Sequence, residues 1–161
     1  ANFGLFMFDI IDKVKTNQHK AKFNAKHISS DRLTVVCGYN GIKLQRHDLI
    51  IEAISDLDIS IKDKLYLIFP MTYGADKKYV KSIKDDIKKL NIPYEILEQD
   101  LCNEDVARLR IDADLVINIQ TTDAFSGSLQ EHLYAGSLLL VGDWLPYKIL
   151  DDNNVFIKNA L

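Results

Sequence analysis

The sequence predicts an α/β fold: a doubly wound, Rossmann-like parallel sheet of five to six strands with helices on both faces. Short apolar runs rich in β-branched residues, such as Leu33 to Cys37, predict buried strands. Segments between them carry apolar residues at helical spacing, as in the stripe from Tyr79 to Leu90. Because strands and helices alternate along the chain and parallel crossovers are right-handed, we expect one doubly wound sheet.

The individual elements follow from local patterns. The predicted strands are 33–37, 65–69, 93–97, 114–119 and 137–141, with a sixth at 155–157. The predicted helices are 48–57, 76–90, 103–111 and a helix that begins at Ser126 or Ser128 and ends near Ala135. Asn103 is expected to cap the third helix, since an asparagine side chain accepts hydrogen bonds from free first-turn amides. Gly136 is expected to end the fourth.

Residues 1–30 do not join this alternation. An amphipathic helix is predicted over 3–14 and a polar connector after it, so this segment is expected to be a linker or a crossing helix. Residues 31–161 are expected to form the ligand-binding domain, because five or six strands with their helices fill that length.

Composition excludes several classes of function. The 161 residues carry 20 Lys plus Arg against 23 Asp plus Glu, a net charge of −3, which does not favour a nucleic-acid partner. Cys37 and Cys102 form no CxxC pair, so neither a disulfide framework nor a zinc site is predicted, and a reduced, cytoplasmic setting is expected. The sequence has no run of about 18 apolar residues that would span a membrane.

Ligands of open α/β sheets bind outside the carboxyl ends of the strands. Four post-strand loops are therefore candidates: 38–43, 70–74, 98–100 and 120–128. The last loop carries Ser126, Gly127 and Ser128 directly into a helix, whose free amides and positive dipole end favour an anion. An ordinary serine cap with a glycine turn explains the same residues. Gly38-x-x-Gly41 is a weak phosphate-loop signal and equally a common Asn40–Gly41 turn.

Two acids lie eight positions apart around this helix start. Asp123 is in the loop, and Glu131 is about one turn inside the helix. A carboxylate beside a phosphate cradle is expected to bind sugar hydroxyls, because it would repel phosphate. The alternatives are an Asx turn for Asp123 and a solvated helix charge for Glu131.

The segment from Asp123 to Gly136, followed by an apolar strand, resembles the E-x7-E element of GT-B glycosyltransferases of the family 4 kind, with Asp in place of the first Glu. The resemblance covers about residues 31–150, the C-terminal, donor-binding half of such an enzyme. The motifs Gly-Tyr-Asn-Gly at 38–41 and Pro-Met-Thr-Tyr-Gly at 70–74 resemble those of a narrower branch of this family, whose members assemble polysaccharides and lipopolysaccharides.

The resemblance implies a role for each matching position. Glu131 would bind the nucleotide ribose, and Asp123 would contact the donor sugar as a catalytic residue. The amides of Ser126, Gly127 and Ser128 would hold the pyrophosphate.

The remaining roles fall on the first and third post-strand loops. Glu98 and Gln99 would bracket the base, and Gly41 would line the nucleotide-sugar site. The cationic clamp departs from the family, because Tyr39 and Gln45 stand where it has Arg and Lys. Lys43 and Arg46 are the substitutes expected to act catalytically on the leaving diphosphate.

The resemblance implies a glycosyltransferase donor domain of hexosyl type, with a nucleoside-diphosphate sugar as substrate and neither a metal nor another cofactor. The acceptor, a saccharide or a lipid-linked saccharide, would come through an N-terminal domain outside this chain, so the chain alone is expected to be inactive. A cytoplasmic protein with peripheral association at the inner face of the membrane is implied. The alternatives are a non-catalytic nucleotide-sugar or phosphate-binding module and, less favoured, a flavodoxin-like or receiver-like signalling domain.

Overall fold

A single parallel sheet organises the chain. The computed structural model describes residues 5–17, 31–147, 150 and 157–160. In these residues the strands are β1 (Leu33–Cys37), β2 (Leu65–Pro70), β3 (Tyr94–Leu97), β4 (Leu115–Asn118), β5 (Leu138–Gly142) and β6 (Ile157–Ala160). They pair in the order β3-β2-β1-β4-β5-β6, and every pair is parallel. The predicted α/β class and parallel sheet are confirmed.

The helices are α1 (Leu5–Thr16), α2 (His47–Ser55), α3 (Ile59–Lys62), α4 (Lys77–Lys88), α5 (Asn103–Asp112) and α6 (Gly127–Ala135). A 3-10 turn at Lys43–Gln45 precedes α2. The short α3 was not predicted, because four residues are too few to show a helical period.

Alternation along the buried strands sends side chains to two separate cores. Val35 and Cys37 of β1 pack in the core beneath α2 and α4. Val36, between them, packs on the opposite face with side chains of α5 and α6. Successive strand residues point to opposite faces, so a strand covered on both sides is apolar at every position. The prediction of helices on both faces is confirmed.

One local prediction is corrected. Asn103 does not cap α5: it is the first helical residue, Cys102 is the N-cap, and no side chain makes a capping hydrogen bond there. Glu104 and Asp105 instead place negative charge in the first turn, where the helix dipole favours it. A sixth strand is present and is described over Ile157–Ala160. Residues 155 and 156 lie outside the described residues.

The strand order determines where a site can form. Strands β1 and β4 are neighbours, and the chain turns to opposite faces after them, so a crevice opens at this switch point. A flavodoxin-like domain, the class that includes receivers, has the order 2-1-3-4-5. The observed order therefore excludes that alternative.

Helix α1 packs against α5 and α6. Ile11 is fully buried, and the Phe8 ring stacks on Tyr134 of α6 with centroids 4.2 Å apart. The Tyr134 hydroxyl donates to Asp12 at 2.7 Å. This part of segment 1–30 thus lies on the helical layer of the domain; residues 1–4 and 18–30 lie outside the described residues.

Two buried histidines are held neutral. Burial lowers the pKa of His47 to about 4, against 6.5 ordinarily, and its Nδ1 contacts the Tyr79 hydroxyl at 3.0 Å. Burial and the neighbouring Arg110 hold the pKa of His132 well below its ordinary value. Both rings therefore stay uncharged at neutral pH.

We expect the free energy of unfolding to fall as pH falls from about 6.5 to about 4. Below pH 6.5 the unfolded chain takes up protons on both histidines, whereas the folded state does not until its lower pKa values are reached. His47 alone contributes up to about 3 kcal/mol. Urea unfolding at several pH values measures this slope, and His47→Asn should reduce it. Equal unfolding energies at pH 7 and pH 5 would contradict the assignment.

Candidate functional site

Buried amides connect the loops that follow β1 and β4. The Gln45 Nε2 donates to Gln120 Oε1 at 2.9 Å, and the Gln120 Nε2 donates to the Tyr39 hydroxyl at 2.9 Å. The backbone amide of Tyr39 donates in turn to Gln45 Oε1 at 3.2 Å. Gln45 and Gln120 are both buried. These bonds join the two loops directly across the switch point.

Asp123 receives the largest number of donors in this region. Its Oδ2 accepts from Asn118 Nδ2 at 3.3 Å, from the Ser126 amide at 3.3 Å and from the Tyr147 hydroxyl. Its Oδ1 lies 3.5 Å from the Tyr39 hydroxyl, a long contact. Burial and the bond to this carboxylate raise the pKa of Tyr147 above its ordinary value, so the phenol keeps its proton. Of the two oxygens, Oδ1 therefore retains acceptor capacity for a ligand.

We call the six side chains joined in this way the switch-point cluster: Tyr39, Gln45, Asn118, Gln120, Asp123 and Tyr147. It carries one formal charge, the Asp123 carboxylate. The loops after β1, β4 and β5 each contribute to it, and Asn118 is the last residue of β4.

The start of α6 lies beside this cluster. Phe125 has φ of 64°, a left-handed conformation that is strained for an aromatic residue, and its carbonyl accepts from Gln130 Nε2 at 2.9 Å. The Oγ atoms of Ser126 and Ser128 are buried and have no hydrogen-bond partner among the described residues. A Cβ built on Gly127 would meet no atom within 4 Å. The first turn of α6 is thus open at Gly127, and the two flanking serine hydroxyls are buried without a partner in the part of the chain that the structure describes.

The three predicted cradle amides are not equivalent. The Ser126 amide already donates to Asp123. The first turn of a helix leaves its amides without intrahelical partners, so Gly127 and Ser128 supply the amides that remain for an anion.

Glu131 lies in a buried ion pair. Its Oε2 accepts from Arg110 Nε at 3.1 Å, and the exposed fractions of the two side chains are 16% and 10%. The Arg110 Nη1 lies 3.0 Å from His132 Nε2. Because arginine only donates, this nitrogen accepts, and the proton of the neutral ring sits on Nδ1, which faces Ser137 Oγ at 3.2 Å. Glu131 is therefore the counter-charge of a buried guanidinium, not a solvated helix charge.

The predicted residues after β1 lie apart from Asp123. Gly41 is buried, its amide donates to Tyr73 O at 2.8 Å, and a Cβ there would lie 2.4 Å from the Ala75 Cβ. Gly41 thus allows two loops to approach closely. Lys43 pairs with Asp76 at 3.8 Å and Arg46 with Asp48 at 3.5 Å, in exposed ion pairs. Neither cation contacts Asp123.

Glu98 and Gln99 lie after β3, at the edge of the sheet. With Glu95, Leu101 and Asp105 they line a cavity of about 410 Å³, and Glu98 pairs with Lys84. Strand β3 is three strand spacings from β4, or about 14 Å. The structure therefore brings Asp123, Ser126, Gly127 and Ser128 together and leaves Glu98 and Gln99 separate.

Sequence reasoning missed several residues of the site. Asn118 and Tyr147 contact Asp123, and Trp144 donates its Nε1 proton to Gln120 O at 2.9 Å. The rule that ligands bind after strands, extended to the loop after β5, would have found Trp144 and Tyr147. Arg110 gave no local signal, since its partner is 21 positions away.

Within the described ranges, no group of three or more His, Cys, Asp or Glu side chains is placed to hold a metal ion. None of the helices described is both long enough and apolar enough to cross a membrane.

The fold matches solved glycosyltransferases. The UDP-forming α,α-trehalose-phosphate synthase of Burkholderia xenovorans, in complex with glucose-6-phosphate, has a TM-score of 0.66 at 12% identity, over 94% of this chain and 39% of that one. Anabaena HepE, in complex with UDP and glucose, has a TM-score of 0.64 at 15% identity, over 92% and 38%. WaaG, a glycosyltransferase involved in lipopolysaccharide biosynthesis, has a TM-score of 0.60 at 18% identity, over 90% and 36%.

These three proteins are GT-B glycosyltransferases, and the chain has the fold of one of their Rossmann-like domains, consistent with the C-terminal one. The fold that the resemblance implied is thereby confirmed. The chain spans less than two fifths of the length of each of them. No protein-family model matches the sequence, and no curated protein sequence matches it.

Replacing Asp123 with alanine should destabilise the domain by about 2–3 kcal/mol, because the buried Asn118 amide and Tyr147 hydroxyl lose a charged acceptor. The melting temperature should fall by about 5–10 °C. Asp143→Ala, at an exposed position of a neighbouring loop, is the matched control and should shift it little. Equal melting temperatures for the two variants would show that the bonds to Asp123 contribute no stability.

Replacing Glu131 with alanine should lower the unfolding free energy by about 3 kcal/mol, because it leaves the buried Arg110 guanidinium without a counter-charge. Glu131→Gln keeps an oxygen acceptor and should be less harmful, and exposed Glu52→Ala should have almost no effect. Urea titrations of the three variants check this ranking. A Glu131→Ala variant as stable as Glu52→Ala would contradict it.

Proposed function

We propose that this domain binds a nucleoside-diphosphate sugar at the carboxyl edge of its sheet, as the donor domain of a glycosyltransferase. The observation that carries the proposal is the start of α6, where the first-turn amides of Gly127 and Ser128 have no intrahelical partner and lie beside the switch-point cluster. Two of the matched structures are described with UDP and glucose or with glucose-6-phosphate, which supports this class of ligand.

The proposed pose follows the geometry of the edge. The diphosphate lies at the Gly127 and Ser128 amides, and the base lies toward Glu98 and Gln99, about 14 Å away across the sheet. The sugar then reaches toward Asp123, whose Oδ1 accepts from a hydroxyl. Glu131 binds the ribose with its carboxylate held in place by Arg110.

The charge of the leaving diphosphate needs cations, and the switch-point cluster contains none. We propose that Lys43 and Arg46 supply them. Their present ion pairs are long and exposed, and such pairs contribute between about 0 and 1 kcal/mol, so a phosphate can draw either side chain away. The chemistry is then positioning plus stabilisation of the departing diphosphate.

We further propose that transfer needs a second Rossmann-like domain that brings a saccharide or lipid-linked acceptor, in polysaccharide assembly. The matched glycosyltransferases are more than twice as long as this chain, which supports the involvement of a further domain.

The decisive test is binding of UDP, GDP and dTDP, measured by thermal shift and calorimetry. A diphosphate at 100 times its Kd should add about 2.7 kcal/mol to the stability of the domain. Gly127→Val should reduce affinity for that diphosphate at least about tenfold, because the new side chain occupies the space that is open in the free protein. Affinity for the matching nucleoside should not change.

Ala53→Val is the matched control, because it places the same side chain on an exposed position of α2. It should leave both affinities unchanged. Absence of binding by all three diphosphates would refute the donor-domain proposal. If Gly127→Val lowers the affinities for nucleoside and diphosphate equally, the phosphates do not bind at Gly127.

A further inference from the structure

Trp144 is an aromatic side chain that the proposed pose leaves unused. It follows β5 at the carboxyl edge of the sheet, and 49% of its surface is exposed. Trp and Tyr rings carry a large apolar body with one polar atom, and at binding sites both parts are used. Exposure alone is ordinary, and it is the place of this indole, at the carboxyl edge beside the switch-point cluster, that makes it a candidate ligand surface.

The ring is fixed in place before any ligand arrives. Its Nε1 donates to the backbone oxygen of Gln120 at 2.9 Å. It also covers Gly142, where a Cβ would lie 2.4 Å from Trp144 Cζ2. A hydrogen bond to one loop and contact with the preceding strand hold the indole, so a ligand that stacks on it loses little side-chain entropy.

The ring is connected to the switch-point cluster. The side chain of Gln120, whose carbonyl holds the indole, belongs to the switch-point cluster. Tyr147, three residues after Trp144, donates to Asp123. The indole is thus bonded to the backbone of one cluster residue and lies three positions before another.

This combination matches the chemistry of a pyranose ring. One face of a hexopyranose presents C–H groups, which stack on an aromatic ring, while its hydroxyls project at the edge and need hydrogen-bonding partners. A nucleobase would also stack, but the proposed pose places the base near β3, on the far side of β1 and β2. A phosphate would gain nothing from an indole face.

We infer that Trp144 is the stacking platform for a hexopyranose ring at the switch point, with the cluster side chains as partners of its hydroxyls. This rests on the proposed donor-domain function. The same ring chemistry has two sources, the sugar of the donor or the terminal sugar of the acceptor, and the experiment separates them.

Trp144 is the only tryptophan in the 161 residues, so intrinsic fluorescence excited at the red edge of the indole band reports from this ring alone. The whole chain is titrated with UDP, GDP and dTDP, with UDP-glucose, GDP-mannose and dTDP-glucose, and with methyl glucoside and methyl mannoside. Calorimetry runs in parallel to record binding independently of the fluorescence.

We expect a nucleotide sugar to change the Trp144 emission well beyond the change caused by its bare diphosphate. Trp144→Ala should weaken that nucleotide sugar about fivefold to tenfold and leave the diphosphate unaffected, while Trp144→Phe should retain most of the affinity. Emission that responds to a methyl glycoside and not to the nucleotide sugar would support the platform with the acceptor as its source.

The outcomes separate the two proposals. Nucleotide-sugar binding by calorimetry, with unchanged emission for every sugar and unchanged affinity in Trp144→Ala, overturns the platform and leaves the donor-domain proposal intact. Equal emission changes for diphosphate and nucleotide sugar overturn the sugar assignment. If no nucleotide or nucleotide sugar binds, the donor-domain proposal fails, and if no methyl glycoside changes the emission either, this inference fails with it. The wild-type titrations decide these points even if a variant does not fold.

Discussion

The reversal of strand order between β1 and β4 constrains everything at the carboxyl edge. Loops that leave these neighbouring strands turn to opposite faces, so their polar groups need partners across the gap. Asp123 meets this need by accepting from a strand end, a helix start and the loop after β5. The amides of Gln45 and Gln120 extend the connection to the loop after β1. Hydrogen bonds between the loops therefore fix the shape of the crevice.

Stability and the proposed ligand binding share a residue, Glu131, on the α5–α6 side. Arg110 is buried and Glu131 neutralises it, and His132 stays uncharged because it is buried and its Nε2 faces the guanidinium. An acid at position 131 thus serves the folded domain in any case, and a ribose contact would be an additional role. Lys43 and Arg46 differ from Arg110, because their ion pairs with Asp76 and Asp48 are exposed and contribute little to stability. Either side chain could leave its partner at little cost.

The glycines of the edge divide into two kinds. A Cβ at Gly41 or Gly142 would collide with a neighbouring loop residue, so these positions allow tight contacts within the fold. A Cβ at Gly127 would meet nothing, so this glycine leaves space open at the start of α6. Because the switch-point cluster carries a carboxylate and no cation, the proposed diphosphate site would depend on the α6 amides and dipole and on cations from the loop after β1.

The sequence by itself determined the strands, the main helices and the fold class. Burial on both faces of the sheet makes strands such as β2 apolar at every position. Burial of one face only gives helices such as α4 a periodic stripe of apolar residues. The sequence also located both ends of α6, because the serines at its start and Gly136 at its end are local signals. Only the tertiary structure decided the partners. Arg110 with Glu131, Tyr147 with Asp123 and Trp144 with Gln120 meet across 21 to 24 positions. Such pairings depend on strand order and on the depth of each side chain, which no local pattern of residues encodes.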